Sequence, residues 1–327
     1  MENGMFVKQI ARSLAVAACL FALSACDDNK KAEQPQESQS TAEQDGIAKY
    51  NAHVEAANYV TYSFGEDLAK YKKYNQPQLD GKKPLEELYS SGSSSAMTTL
   101  QDFLDKAIAM KPPMPELDQP ARDYSDAVAK ATPVVRDLEN YINSKSYSSD
   151  NGAKGRELQP AYLSSMEKLV VAQANYLNAI DAKDRARIKA EFDKAEKDSL
   201  AYYRIGSIYY LKESMDAASG FLNGEGLGDK KDAFKTSLDQ FNAMMTSYDT
   251  KMRERNKVGC SNMIFKANAY LSTGRDVIKH TEEGRYEEEA KRAHPFGMST
   301  NNSINNDTRN LMQNFNNMIN TMNLNQC

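Results

Sequence analysis

The chain is poor in what strands and repeated membrane spans require. Its 327 residues include only 11 valines and 12 isoleucines. Strands favour β-branched residues, so a large β-sheet is not expected. Only one apolar run exists, at the N-terminus, and the mean hydropathy is −0.69, which excludes a polytopic membrane protein. Positive charge is not in excess. The formal net charge is −4 and the pI about 5.6, which argues against nucleic acid as a partner. Histidines number three and cysteines four. No Gly-x-Ser-x-Gly elbow occurs. Gly224-Glu-Gly-Leu-Gly228 lacks the Lys-Ser/Thr of a phosphate loop and follows no predicted strand, so it reads as a loop between helices. What is present, 40% hydrophobic and 26% charged residues, suffices for a packed core. At about 150 residues per domain the length allows one or two domains.

Residues 1–25 read as an address. Lys8 and Arg12 precede a short apolar stretch, Leu14 to Leu23, too short to span a bilayer at about 20 residues. Leu23-Ser24-Ala25-Cys26 then resembles the lipobox of bacterial lipoprotein precursors. The resemblance implies cleavage before Cys26 and acylation of its thiol and new amino group, a palmitate-type anchor with no transmembrane helix. Asp27 and Asp28 follow. In enterobacterial lipoproteins, acids there resemble the signal that keeps a lipoprotein in the inner membrane. Residues 26–45 contain no large apolar side chain and read as a flexible tether with a reach of roughly 25 Å.

From residue 46 to 327 the apolar spacing alternates between three and four. Ala121, Tyr124, Val128, Ala131, Val135, Leu138 and Ile142 form one such stripe; Phe234, Leu238, Phe241, Met245, Tyr248 and Met252 form another. The pattern predicts amphipathic helices packed nearly antiparallel. The first is expected to end across Gln76–Pro84, and a shorter one to span 94–110. Pro133 predicts a kink in the third, and 144–155 a polar loop. No proline occurs from Ala161 to His294, which favours long helices at 158–181, 184–221, 229–256 and 260–289, with Asp229 a candidate N-cap. The expectation is an all-α antiparallel bundle of about eight helices, in one domain or in halves 46–145 and 156–327.

Lys49-Tyr-Asn51 with Tyr59 and Tyr71, Gly259-Cys260-Ser261 leading to Ala267-Asn-Ala-Tyr-Leu271 and Arg275, and the closing Phe315-Asn-Asn-Met-Ile-Asn320 resemble the YiiG-like bacterial lipoproteins, whose domain is of unknown function. The resemblance covers essentially the whole chain and implies a helical lipoprotein; it carries over no activity and no catalytic residues.

Few residues carry chemistry. His53 reads as a satisfied helix residue. His280 and Glu283 have the His-x-x-Glu spacing that places both on one helix face. That separation resembles imelysin-like periplasmic proteins, although the rest of their pattern is absent. The acids Glu282, Glu283, Glu287, Glu288 and Glu289 alternate with Arg285, Lys291 and Arg292 in the manner of a solvated helix end. Tyr202, Tyr203, Tyr209 and Tyr210 occupy two neighbouring faces of one helix and read as core, with a glycan- or peptide-binding groove as the alternative. After loss of Cys19 and acylation of Cys26, only Cys260 and Cys327 remain to pair. They lie 36 residues before and 31 after a turn expected near Phe296, so an oxidising periplasm should join them. The sequence therefore points to an anchored binding or structural module that meets the membrane through lipid and contacts a protein or envelope polymer, with no cofactor and no catalytic constellation. The alternative is an iron- or zinc-dependent protein using His280 and the nearby glutamates.

Overall fold

The computed structural model describes residues 37–59, 63–90, 93–291, 303–324 and 326–327. Among these, no strand occurs, and eight helices have 16 residues or more. The elements in chain order are α1 (Glu37–Tyr59), α2 (Phe64–Lys70), a π-helical turn (Tyr71–Asn75), α3 (Gln76–Leu79), α4 (Ser94–Ala109), α5 (Pro115–Asn143), α6 (Tyr147–Asp150) and α7 (Ala153–Lys194). They continue with α8 (Leu200–Ala217), α9 (Ser219–Leu222), a 3-10 turn (Gly228–Lys230), α10 (Lys231–Asn256), α11 (Ser261–Glu282), α12 (Arg285–Lys291) and α13 (Ser303–Asn323). The described residues are all-α, built as packed helices.

Several boundaries depart from the sequence reading. Residues 37–45 of the expected tether belong to α1; Glu, Gln and Ala are good helix formers even without apolar partners. The expected first helix is divided: α1 ends at Tyr59, and Ser63, with extended backbone, caps α2 by accepting from the Gly65 N–H. No break separates 181 from 184, where neither Gly nor Pro intervenes, and α7 runs on to Lys194. The helix expected over 184–221 is instead interrupted at 195–199. There Asp198 takes φ 65° and Ser199 caps α8 by accepting from the Tyr202 N–H. The 144–155 loop contains α6 and the start of α7. Asp229 lies in the 3-10 turn and makes no cap. The 260–289 helix stops at Glu282, and Gly284 turns with φ 65°, which L side chains resist. Pro133 stands inside α5, which stays helical through it. The expected turn at Phe296 lies outside the described residues.

The described residues fall into two compact units that divide between Ala182 and Lys183, inside α7 and later in the chain than the 145–155 boundary expected. In unit 1, α4 packs on α5 and on α1, and the apolar stripe from Ala121 to Ile142 is buried. Its interior also holds charge. Lys49 Nζ lies 2.8 Å from Asp118 Oδ2 and donates to the Met110 carbonyl at 2.9 Å, at the C-terminal end of α4. Asp118 accepts from the Met114 N–H, the N-cap of α5, at 2.9 Å. His53 Nε2 lies 3.1 Å from Asp118 Oδ1, and Nδ1 lies 3.1 Å from the Tyr176 hydroxyl, which donates to the His53 carbonyl at 2.8 Å. Lys49, His53, Asp118 and Tyr176 are all buried. The network ties α1 to the α4–α5 junction and to α7.

Burial holds the His53 pKa below its ordinary 6.5, against the opposing pull of Asp118. Burial thus favours the neutral form of His53. Burial pushes Asp118 up, but Lys49, the Met114 N–H and His53 outweigh it, so its carboxyl titrates below the usual range. Both groups have folded pKa values depressed below the unfolded ones. Their stabilisation is thus complete above about pH 6.5 and falls as the medium is acidified, first as unfolded His53 takes up a proton and then as Asp118 does. The midpoint of unit 1 in a urea titration should drop between pH 7 and pH 5. His53→Gln should remove most of that slope, and an unchanged slope would contradict this assignment.

In unit 2, α10 packs on α8 and on α11, and α11 on α13. The core gathers Phe221, Phe234, Phe241, Tyr270, Leu311 and Met318. Asp184, fully buried, lies 2.6 Å from Lys212 Nζ and 2.8 Å from Arg187 Nη2, an ionic link between α7 and α8 within this unit. Cys260 and Cys327 are joined by a disulfide with Cα atoms 4.2 Å apart.

Candidate functional site

An open cleft of about 930 Å³ lies in unit 1. Its construction begins at the π-helical turn. The Gln76 N–H bonds to the Tyr71 carbonyl, one residue beyond α-register, and such turns recur at functional sites. The turn buries Tyr71 and Asn75 and leaves Tyr74 outward, 47% exposed. After α3 the chain is irregular through Tyr89. It cannot satisfy its own backbone there, so two side-chain amides do so. Asn75 donates to the Tyr89 carbonyl at 2.7 Å and accepts from the Tyr89 N–H at 2.8 Å. Gln78 accepts from the Glu86 N–H at 2.7 Å and donates to the Glu87 carbonyl at 3.2 Å. Leu88 is buried while Tyr89 is 44% exposed, the alternation of an extended segment.

The rings of Tyr74 and Tyr89 lie 6.4 Å apart. Lys73 stands 4.8 Å from the Tyr74 ring centre and Lys70 6.0 Å from that of Tyr89. Hydrogen bonding to Lys73 lowers the Tyr74 hydroxyl pKa. Glu86, Glu87, Asn143 and Lys145 complete a lining that presents ring faces beside donors and acceptors. Among its described lining residues, no nucleophile, base and orienting group converge.

The residues singled out from sequence lie elsewhere. Cys26, Asp27 and Asp28 lie outside the described residues. His280 does not assemble a metal site with Glu283. Its Nδ1 lies 2.8 Å from Asp307 Oδ2, which also accepts from the Tyr286 hydroxyl, and Arg285 lies 3.0 Å from its Nε2. Both ring nitrogens are thus engaged, one by a cation that would repel a metal ion. Glu282 pairs with Lys231 and Glu283 with Lys279, while Glu289 accepts from the Ser303 N–H and hydroxyl at the start of α13. Among the described residues no group of three or more His, Cys, Asp or Glu could hold a metal. Tyr202, Tyr203, Tyr209 and Tyr210 are half-buried. Phe192 stacks on Tyr202 and Tyr209 and meets Tyr210 edge-on, and Tyr203, Tyr209 and Tyr210 pack, partly buried, against the core of unit 2. The sequence reading missed the cleft entirely. Its one signal was the run of Tyr74, Asn75 and Gln78 ahead of a Gly-Lys-Lys-Pro segment.

Among the described residues no helix is long and apolar enough to cross a membrane. The chain is 22% identical over 172 residues to the uncharacterized protein YiiG of Escherichia coli (strain K12), an alignment covering 50% of this chain and 49% of that protein. The chain thus spans about half the length of the curated relative it matches. No solved structure matches it. A family described as protein of unknown function (DUF3829) matches residues 44–324, nearly all of the described fold, and the chain belongs to that family.

Proposed function

We propose that the protein is a lipid-anchored, periplasm-facing binding module of the bacterial envelope, held by acylated Cys26, whose unit 1 cleft grips a hydrophilic envelope polymer. The cleft carries this reading. Two exposed tyrosine rings offer flat apolar faces with hydroxyls, flanked by lysines, glutamates and amides, a lining suited to sugar rings and short peptides. The leader supports the anchor, and Asp27 with Asp28 supports retention in the inner membrane of an enterobacterial-type host.

Residues 27–327 should co-sediment with purified cell-wall polymer, and Tyr74→Ala with Tyr89→Ala should weaken that at least about tenfold, since buried tyrosines commonly dominate binding energy. Equal sedimentation of the two proteins would sink the cleft reading. In cells, Cys26→Ala should abolish fatty-acid labelling and membrane fractionation. An unlabelled wild type with its N-terminus at Cys26 would sink the anchor.

A further inference from the structure

Unit 2 carries three large apolar side chains that face solvent: Val258, Phe265 and Leu324, exposed by 68%, 67% and 66%. The disulfide gathers them at one end. Val258 lies two residues before Cys260, Phe265 five after it, and Leu324 three before Cys327. By chain geometry each is within about 11 Å of the bridge. The Asn262 N–H bonds to the Cys327 carbonyl, fixing the tail beside α11. The same end is basic. Between Asp249 and Lys266 five basic side chains stand against two acidic ones, in a chain of net charge −4. Both acids are paired, Asp249 with Arg253 and Glu254 with Lys251. Arg255 and Lys257 are exposed and, like Lys266, make no ion pair among the described residues.

A basic last turn on α10 suits the helix dipole by itself, but the dipole gives no reason for exposed Phe265, Val258 and Leu324 beside it. Three side chains offer far less area than the roughly 800 Å² per partner of a stable protein interface. Apolar side chains ringed by Lys and Arg are what interfacial membrane contacts use. We propose that this end of unit 2 is a membrane-surface contact, in which Val258, Phe265 and Leu324 enter the headgroup region of anionic lipid while Arg255, Lys257 and Lys266 hold the phosphates. The proposal does not depend on acylation.

The test uses residues 27–327, which lack the acylated cysteine and carry every described element. They should float with vesicles of phosphatidylglycerol and phosphatidylethanolamine, and not with phosphatidylcholine alone. Arg255→Glu with Lys257→Glu should weaken flotation roughly 25-fold or more, at about fivefold per basic residue lost. The chain has no tryptophan, so Phe265→Trp supplies a single indole, whose selectively excited fluorescence should shift to the blue on anionic vesicles. All three positions are surface sites, and circular dichroism would confirm that each variant folds. Absent flotation, equal flotation of the charge-reversed variant, an unshifted Phe265→Trp spectrum, or binding to soluble polyglutamate without binding to vesicles would each overturn the proposal and leave the Cys26 anchor untouched.

Discussion

Replacing Asp118 by alanine should destabilise unit 1 by about 3–5 kcal/mol, the usual cost of stripping one partner from a buried ion pair. The substitution removes more than a pair. Lys49 keeps the Met110 carbonyl but loses its counter-charge 2.8 Å away. His53 loses its acceptor at Nε2, and the Met114 N–H loses the group that capped α5. Lys49 and His53 cannot turn to water, because both are buried in the angle between α1, α4 and α5. Lys49→Met should be similarly damaging, leaving a buried carboxylate. The double substitution Lys49→Met with Asp118→Leu should cost much less than the sum, since a packed apolar pair needs no counter-charge. Calorimetry of the four proteins closes the cycle. Simple additivity would show that the ion pair contributes no coupling.

The second large effect belongs to the disulfide. Cys260 and Cys327 are 67 residues apart in sequence, and the bridge encloses α11, α12 and α13. Closing a loop of that size restricts the unfolded chain by up to about 4 kcal/mol in the chain-entropy treatment, and measured values run about 2–4. Cys260→Ser with Cys327→Ser should lower the transition of unit 2 by that amount and leave that of unit 1 in place. Hydrogen exchange should report the loss first in the last turn of α13 and the first of α11, which the bridge and the Asn262–Cys327 backbone bond hold together. Denatured, unreduced residues 27–327 should contain no titratable thiol; two would refute the pairing.

The legible part of this fold was its apolar periodicity. The stripe from Ala121 to Ile142 and that from Phe234 to Tyr248 are buried as their spacing requires. Spacing reports which face of a helix is covered and says nothing of what it meets. Hence Asp118, one turn ahead of its stripe, gave no sign that it would be sealed in by Lys49, 69 residues away. The interruption at 195–199 was missed because no Gly or Pro marks it; Asp198-Ser199 did the work through a left-handed residue and a cap. The His280–Glu283 spacing assumed one continuous helix, but Glu283 is the C-cap of α11, and what surrounds the imidazole came from α12 and α13. The cleft was illegible for a further reason: the π-helical turn that swings Tyr74 outward leaves no residue-type signature in Tyr71-Lys-Lys-Tyr-Asn75.

The hydrogen bonds that fasten the 86–89 wall of that cleft use only its main-chain atoms. Asn75 and Gln78 bind the N–H and carbonyl groups of Glu86, Glu87 and Tyr89 and touch none of their side chains through those bonds. Any residue other than proline at 86 and 89 satisfies the same bracket. Glu86, Glu87 and Tyr89 could therefore be rewritten without unfastening the segment, provided Leu88 still fills its buried site. The protein thus carries an interchangeable panel. A grafted library at positions 86, 87 and 89 should retain the fold while altering what the cleft selects, so recognition and stability can drift independently in this part of the molecule.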